Sequence, residues 1–246
     1  MAGSPERVSP GAERMKEQYV GDVNDYRKYA LLRHLAQQGR IRIGVCWMLT
    51  PPDAGNLRDY LKQADRWRGY DPELFDQIRA VIEQRETNRL GAIESSGIIP
   101  NARFVDALLT DKTKRATYFE AALSDLAEAD LIFFDPDNGV AANPPNKQPR
   151  RSSKFIYLHE IAAAYERQHS ILIYQHFPRV QRDQFIGKLG MELAHLSASV
   201  KLWYFRTPFA VFFLLIHPNH SAALVTAAEA VPDRWRPRFI SGERLY

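Results

Sequence analysis

The chain contains 246 residues with a formal net charge of +4, and 45% of the residues are hydrophobic. This hydrophobic content is sufficient for a sizeable buried core and excludes an intrinsically disordered protein. The pI of about 9.1 permits a partner that carries phosphate groups, but such a mild excess of basic residues does not require one.

Three features of the sequence bear on where the protein acts. No stretch approaches the roughly 18–20 consecutive apolar residues of a membrane-spanning helix, so no membrane association is predicted. The single cysteine, Cys46, cannot form an internal disulfide, which favours a reducing, cytoplasmic location. Residues 1–15 are polar and lack the apolar core of a signal peptide. They are predicted to be a disordered leader before one α/β domain over residues 16–246.

The first predicted elements are a helix and a buried strand. The helix covers residues 22–38, where tyrosines and leucines recur at helical spacing after a potential N-cap, Asp22. The apolar stretch 41–49 predicts a strand in a sheet that is covered on both faces. A loop rich in turn-forming residues follows at 50–56, and residues 57–100 are predicted to form a helical insertion.

Strands and helices alternate in the rest of the chain. Strands are predicted at 103–110, 131–135, 170–176, 200–207 and 209–218, helices at 113–129, 158–167, 180–196 and 220–231, and an exposed loop at 142–154. This alternation predicts the α/β class, with a mostly parallel, doubly wound sheet that ends in an antiparallel hairpin. Sheets of this kind bind ligands at the carboxyl ends of their strands.

The stretch LIFFDPDNGV, residues 131–140, runs from a predicted buried strand into polar residues. Asp135, Asp137 and Asn138 can converge on one small ligand, because carboxylates accept hydrogen bonds and an amide both donates and accepts them. Pro136 fixes the turn between the two aspartates. The same residues are also typical of an Asx turn that has no function. Their position at a strand end favours a functional site.

The start of the first helix provides a second candidate. Asp22, Asp25 and either Tyr26 or Tyr29 lie along one helical face, and Lys28 adds positive charge nearby. In the alternative interpretation the aspartates only cap the helix and complement its dipole, while the tyrosines pack in the core.

The stretch YQHFPR, residues 174–179, lies at the end of the strand predicted at 170–176 and provides further candidates. His176 falls where a strand next to Asp135 would end, and it can act as a general base or a metal ligand. A lone histidine there is also an ordinary residue of a sheet rim. Arg179 is placed to contact phosphate. Basic and aromatic residues alternate at 150–154 and 234–239, which suits nucleic acid but is also typical of a solvated surface.

Several of these motifs resemble, in this order, those of the bacterial 23S ribosomal-RNA adenine methyltransferases, a family of class I enzymes that use S-adenosylmethionine. YVGDVNDYRKYALLRHL resembles the family's N-terminal motif at Gly21, Asp25 and Lys28. LIFFDPDNG resembles its Asp-Pro-Pro-Tyr strand end at Asp135 and Pro136. The resemblance covers most of the chain and implies a Rossmann-like methyltransferase sheet.

The resemblance also implies an activity, methyl transfer to a base amine, and together with the candidates identified above it gives a set of site residues. These are Asp135, Asp137, Asn138 and His176 for catalysis, Asp53, Gly55, Asn56, Asp22 and Asp25 for S-adenosylmethionine, and Tyr26, Lys28, Pro136 and Arg179 for the substrate. The family's glycine-rich cofactor loop is replaced here by MLTPPDAGN, and Asp137 and Asn138 stand where the family has proline and the stacking tyrosine. The chain is also similar to uncharacterised bacterial proteins that share GDxxDYxKxxLL and DPDNG.

Two other functions fit the same residues. A metal-dependent phosphodiesterase or nuclease would hold magnesium or manganese with Asp22, Asp25, Asp135 and Asp137, helped by Glu160 or His176. A non-catalytic module that binds nucleic acid would keep the fold without the cofactor loop. The sequence does not distinguish RNA from DNA and leaves the oligomeric state open.

Overall fold

The computed structural model describes five segments of the chain, residues 20–50, 58–110, 113–141, 152–235 and 239–246. The predicted leader and most of the loops predicted at 50–56 and 142–154 lie outside these residues.

A seven-stranded sheet forms the centre of the fold. In spatial order its strands are β2 (Arg103–Val105), β1 (Ile43–Cys46), β3 (Leu131–Phe134), β6 (Ser170–His176), β8 (Ala210–Ile216), β7 (Lys201–Arg206) and β9 (Ser241–Arg244). The first four strands are parallel, whereas β8 is antiparallel to both β6 and β7, and β9 is antiparallel to β7. The predicted α/β sheet with a parallel centre and a terminal antiparallel hairpin is confirmed.

Helices cover both faces of this sheet. One face carries α1 (Val23–Leu35), α3 (Pro72–Gln84), α4 (Arg89–Ser95) and α8 (Ser221–Trp235), and the other carries α5 (Arg115–Asp125), α6 (Leu158–Glu166) and α7 (Arg182–Ala194). The short α2 (Ala64–Trp67) precedes α3. Within the described segments, no helix combines the length and apolar character that crossing a membrane requires.

The two helical layers explain the continuous apolar strands of the sequence. Successive side chains of a strand point to opposite faces of the sheet. Val45 and Phe133 therefore pack with the α1 layer, whereas Cys46 and Phe134 pack with the α5 layer. Every residue of β1 and β3 is buried, as expected for parallel strands between two layers.

The first helix begins and ends for local reasons. One carboxylate oxygen of Asp22 accepts the backbone N–H groups of Asn24, at 2.7 Å, and Asp25, at 2.9 Å, which confirms the predicted N-cap. The α-helix ends at Leu35, and Gly39, with a φ of +90°, is the last residue of a short 3₁₀ turn that follows. The predicted helix was therefore too long at its carboxyl end.

The segment between β1 and β2 is helical, as predicted for the insertion, and it carries much of the aromatic core. Tyr26 of α1 packs against Tyr60 and Phe75 of this segment, with ring centroids 5.6 and 5.8 Å apart. Trp235 and Phe239 are fully buried beside them. The aromatic residues of the basic tail therefore stabilise the core and are not exposed to solvent.

Two features of the fold were not predicted. β4 (Gly139–Ala141) and β5 (Phe155–Tyr157) form a separate two-stranded parallel sheet, and β9 extends the main sheet. The predicted exposed loop at 142–154 is wrong at its carboxyl end, because Ser152 and Ser153 are buried in a 3₁₀ turn before β5.

A substitution at Gly139 tests the turn that leads from β3 into β4. Gly139 has a φ of +92°, and a Cβ there would overlap the side-chain amide of Gln175. We expect Gly139→Ala to lower the free energy of unfolding by about 1–3 kcal/mol in urea denaturation. Gly187→Ala is the matched control, since a Cβ at this position of α7 meets nothing within 4 Å. The control should raise stability by about 0.5–1 kcal/mol, and equal effects of both changes would contradict a strained turn.

Candidate active site

A cavity of about 370 Å³ lies at the carboxyl ends of β1, β3 and β6, beside the start of α1. Its volume falls within the range of small-molecule sites in proteins. The predicted site residues that line it are Asp22, Asp25, Lys28, Asp135, Pro136, Asp137, Asn138 and His176. Carboxylates from the first helix and from the Asp-Pro-Asp-Asn turn thus meet in a single cavity.

The structure places three other candidates elsewhere. Tyr26, predicted to contact substrate, is fully buried in the core, where its hydroxyl lies 3.1 Å from the carbonyl oxygens of Trp67 and Asp71. Arg179 is exposed in the bend after β6 and does not line the cavity. Glu160 lies outside the cavity in a buried ion pair with Arg115 at 2.6 Å.

The predicted cofactor residues after β1 are not part of the described structure. Asp53, Gly55 and Asn56 fall in the gap between residues 50 and 58. Thr50, the last described residue before that gap, lines the cavity.

The buried ammonium of Lys28 forms the centre of the site. Its Nζ lies 2.7 Å from Oδ2 of Asp135 and 3.3 Å from Oδ1 of Asp25. It also lies 4.3 Å from the ring centroid of Tyr174, which adds a cation–π contact. Lys28 therefore links the first helix to the carboxyl ends of β3 and β6.

Asp25 uses both of its carboxylate oxygens inside the protein. Oδ1 faces Lys28, while Oδ2 accepts the backbone N–H of Gly21 at 2.9 Å and the hydroxyl of Tyr29 at 3.2 Å. These contacts fix Asp25 as a support for Lys28. The predicted contact of Asp25 with the cofactor stays a prediction.

The second aspartate of the turn has its own partners. Asp137 accepts a hydrogen bond from the hydroxyl of Thr50 at 2.6 Å and lies 3.3 Å from Nζ of Lys154. The backbone N–H of Asn138 donates to the carbonyl oxygen of Lys154 at 2.8 Å. The turn is therefore held from the β1 side by Thr50 and from the β5 side by Lys154.

Gln175 holds the turn from β6. Its Oε1 accepts the backbone N–H of Val140 at 2.7 Å, and its Nε2 lies 3.2 Å from the carbonyl oxygen of Asn138. An amide side chain thus replaces the backbone pairing that β3 and β6 lose where β3 ends at Phe134.

Burial determines the protonation of the acidic groups. Burial raises the pKa of Asp135 from 3.8 to about 6, against the lowering effect of Lys28, and the neighbouring charge of Asp25 raises it further. Burial and then the charge of Asp25 raise the pKa of Asp22 to about 7. Burial alone would lower the pKa of Lys28, but Asp135 and Asp25 outweigh it and hold that pKa well above its usual value.

Two residues that line the cavity each carry a buried polar atom with no hydrogen-bond partner within the described segments. They are Oδ1 of Asn24, at the start of α1, and the hydroxyl of Tyr174, near the end of β6. Unpaired buried polar atoms are costly, and a ligand that supplies partners removes that cost.

The arrangement does not form a typical metal site. Among the described residues, no group of three or more histidine, cysteine, aspartate or glutamate side chains is placed to hold a metal ion. Between Asp25 and Asp135, the position that a cation would take is filled by the ammonium of Lys28.

Several cavity residues were not identified from the sequence as site residues. Trp47, Met48 and Thr50 directly follow β1, and Tyr174 belongs to β6. All were hidden in or directly after apolar runs that predict buried strands. Their position at the carboxyl ends of parallel strands was the available signal.

Comparisons with known proteins do not assign a family. No protein-family model matches the chain, and no curated protein matches it. Among solved structures, it is similar to protein LPL1258 from Legionella pneumophila strain Philadelphia 1, described by the family model DUF519. The two chains are 11% identical, with a TM-score of 0.43, over 93% of this chain and 97% of the other.

Removal of Lys28 should destabilise the protein strongly. Lys28→Met keeps the length of the side chain but leaves Asp25 and Asp135 buried without their cation. We expect a loss of about 3–5 kcal/mol in the free energy of unfolding, measured by urea denaturation. Lys62→Met is the control, because Lys62 forms an exposed pair with Asp59 and should cost at most about 1 kcal/mol.

The double variant provides a second check on this pair. Adding Asp135→Asn to Lys28→Met removes one of the uncompensated charges and should restore part of the stability. Strictly additive losses would contradict direct interaction between the two side chains.

The raised pKa of Asp22 predicts a specific dependence of stability on pH. Because the folded protein holds this proton more tightly than the unfolded chain, the group's stabilising contribution is complete below about pH 4 and is lost as pH rises through about 7. Asp22→Asn removes the titration and keeps a good N-cap. The variant should therefore gain stability relative to the wild type between about pH 4 and 8, measured by urea denaturation across pH. A difference that stays constant with pH would contradict the burial of this proton.

Proposed function

We propose that this protein is a methyltransferase-like enzyme that modifies nucleic acid, with S-adenosylmethionine as donor and a base amine as acceptor. The observation that carries the proposal is the position of Asp135. Its side chain is 14% exposed, at the carboxyl end of a central parallel strand and facing a cavity of ligand size.

Asp135 suits the role of hydrogen-bond acceptor for a substrate amine. With a pKa of about 6 it is mostly ionised at neutral pH. A carboxylate that accepts an N–H from the amine directs the nitrogen lone pair away from itself and can take up a proton after transfer. Lys28, at 2.7 Å, fixes the orientation of the carboxylate before substrate arrives.

The walls of the cavity suit a planar ring. Tyr29, Trp47 and Tyr174 line the cavity and are at most 5% exposed, and Pro136 adds a rigid apolar residue beside Asp135. Aromatic surface of this kind stabilises an unstacked base. In the proposed enzyme these side chains take over the role of the tyrosine that is absent from the turn.

The described lining also suits the donor. S-adenosylmethionine would supply the methyl group, and its amino and hydroxyl groups match acceptors at the start of α1. Oδ1 of Asn24 has no partner within the described segments, and the carboxylate of Asp22 lines the cavity beside it. Asn24 and Asp22 would hold the donor, whereas Asp25 would act indirectly by holding Lys28.

The metal-dependent alternative is less well supported by the contacts. Two of the four aspartates that it requires, Asp25 and Asp135, already share the ammonium of Lys28. A third, Asp137, is held by Thr50 and Lys154. Magnesium or manganese would have to displace these cations before binding.

Calorimetric titration with S-adenosylmethionine in the absence of divalent ions tests the proposal. We expect saturable binding by the wild type and by Asp135→Asn, because Asp135 is assigned to the acceptor and not to the donor. Transfer of a labelled methyl group to total RNA or DNA should fall by about 10²- to 10⁴-fold in Asp135→Asn. Asp125→Asn, at the exposed carboxyl end of α5, is the control and should retain full transfer.

Two other outcomes would contradict the proposal. Normal transfer in Asp135→Asn would remove the assigned role of this carboxylate. Absence of donor binding, together with magnesium or manganese binding that is lost in Asp137→Asn, would favour the metal-dependent enzyme.

A further inference from the structure

A second cavity, of about 290 Å³, lies on the same side of the sheet and is rich in aromatic surface. Its lining consists of Val23, Asp59, Tyr60, Gln63, Arg66, Trp67 and Phe209. Phe209 is 59% exposed, the largest exposed fraction among the large hydrophobic side chains of the described segments. Tyr60 is buried and forms the floor, so the cavity offers aromatic surface at its base and at its rim.

This second cavity adjoins the candidate active site along two stretches of chain. At the start of α1, Asn24 lines the first cavity and Val23, its neighbour, lines the second. At the end of β6, His176 lines the first cavity and pairs with Ala210, the residue after Phe209. Residues that are adjacent in α1, and residues at the neighbouring ends of β6 and β8, are thus close to both cavities.

Two arginines lie against Trp67, one of the aromatic residues of this cavity. The guanidinium of Arg66 lies 5.4 Å from the ring centroid of Trp67, and that of Arg27 lies 5.2 Å from the same ring. Arg27 is 2% exposed, and its Nε and Nη1 have no hydrogen-bond partner in the described part of the chain. The carboxylate in the lining, Asp59, is paired with Lys62 at 3.0 Å.

We infer that this second cavity binds the base of a nucleotide that flanks the one acted on. The inference rests on the proposed function for its substrate class, and it adds a subsite that determines which strand conformation is accepted. Aromatic side chains beside arginines are the combination that binds single-stranded nucleic acid, because every base has a ring face and every nucleotide carries a phosphate. A flanking base between Phe209 and Trp67, with its phosphate near Arg66, satisfies both requirements.

Two separate cavities also require that the base acted on is no longer stacked on its neighbour. The two cavities share no lining residue, so two adjacent bases that each occupy one cavity are not stacked on each other. The substrate is therefore a single-stranded or looped segment, or a duplex whose bases are drawn out of the stack.

Fluorescence anisotropy with labelled single-stranded RNA and DNA of mixed sequence, each about 12 nucleotides long, tests the subsite. Phe209→Ala should weaken binding by about 5- to 150-fold, the effect of losing one stacked base, without changing the salt dependence. Phe209→Trp should retain the wild-type affinity. Arg66→Gln should weaken binding and reduce the slope of affinity against salt by about one phosphate contact.

Met191→Ala is the matched control. Met191 is 49% exposed on α7, on the opposite face of the sheet, and its truncation should leave the affinity for both oligonucleotides unchanged. Because Phe209 and Met191 are both exposed, neither change removes core packing, and urea denaturation should show similar stability for both variants.

The outcomes separate this inference from the proposed function. If S-adenosylmethionine binds but Phe209→Ala leaves oligonucleotide affinity unchanged, the subsite is overturned and the activity stands. If no donor binds but Phe209→Ala still weakens oligonucleotide binding, the subsite is supported and methyl transfer is overturned. Absence of oligonucleotide binding by the wild type overturns the subsite. Sedimentation that shows a wild-type dimer and a Phe209→Ala monomer, with unchanged affinity, assigns the surface to a second copy and also overturns it.

Discussion

The ion pair between Lys28 and Asp135 is the contact on which the site depends. Carboxylates can remain ionised in a largely buried place only when a cation is close, since their desolvation is otherwise prohibitive. Lys28 supplies that cation from α1, 107 positions away in the chain from the aspartate at the end of β3. The position of α1 against the carboxyl ends of the central strands is therefore set as much by charge as by its buried tyrosines.

Further hydrogen bonds and ion pairs hold the two partners of this contact in place. Asp25 holds Lys28, and Gly21 and Tyr29 hold Asp25. On the other side, Gln175 fixes the backbone of the Asp-Pro-Asp-Asn turn. Two residues that line the cavity, Asn24 and Tyr174, carry a buried polar atom without a partner in the described segments. This distribution of satisfied and unsatisfied atoms distinguishes a site that is prepared for a ligand from a turn that merely closes a strand.

Local patterns in the sequence predicted much of this structure. Contacts between residues that are distant in the chain could not be predicted. Asp22 was recognisable as a cap and Asp135 as the end of a strand, because both depend on residues nearby in the chain. The shared cavity followed from the rule that parallel strands present their carboxyl ends on one side. The contact between Thr50 and Asp137 could not be predicted, since neither residue carries a local signal for it. Tyr26 was misplaced because its helical face is shared with Tyr29. Both tyrosines are buried, and only the packing of Tyr26 against Tyr60 and Phe75 shows that Tyr29 is the one that lines the cavity.

The strand β9 affects how the edge of the sheet can pair with another chain. Ser241–Arg244 lacks an apolar alternation, and its register comes entirely from pairing with β7. Without it, the backbone donors and acceptors along the outer side of β7 would face water as an open template for another chain. At the opposite margin, β2 has only three residues, too few to recruit a neighbour efficiently. β9, with four residues, thus replaces the six-residue edge of β7 by a shorter one, which limits pairing with another chain independently of the chemistry at the cavity.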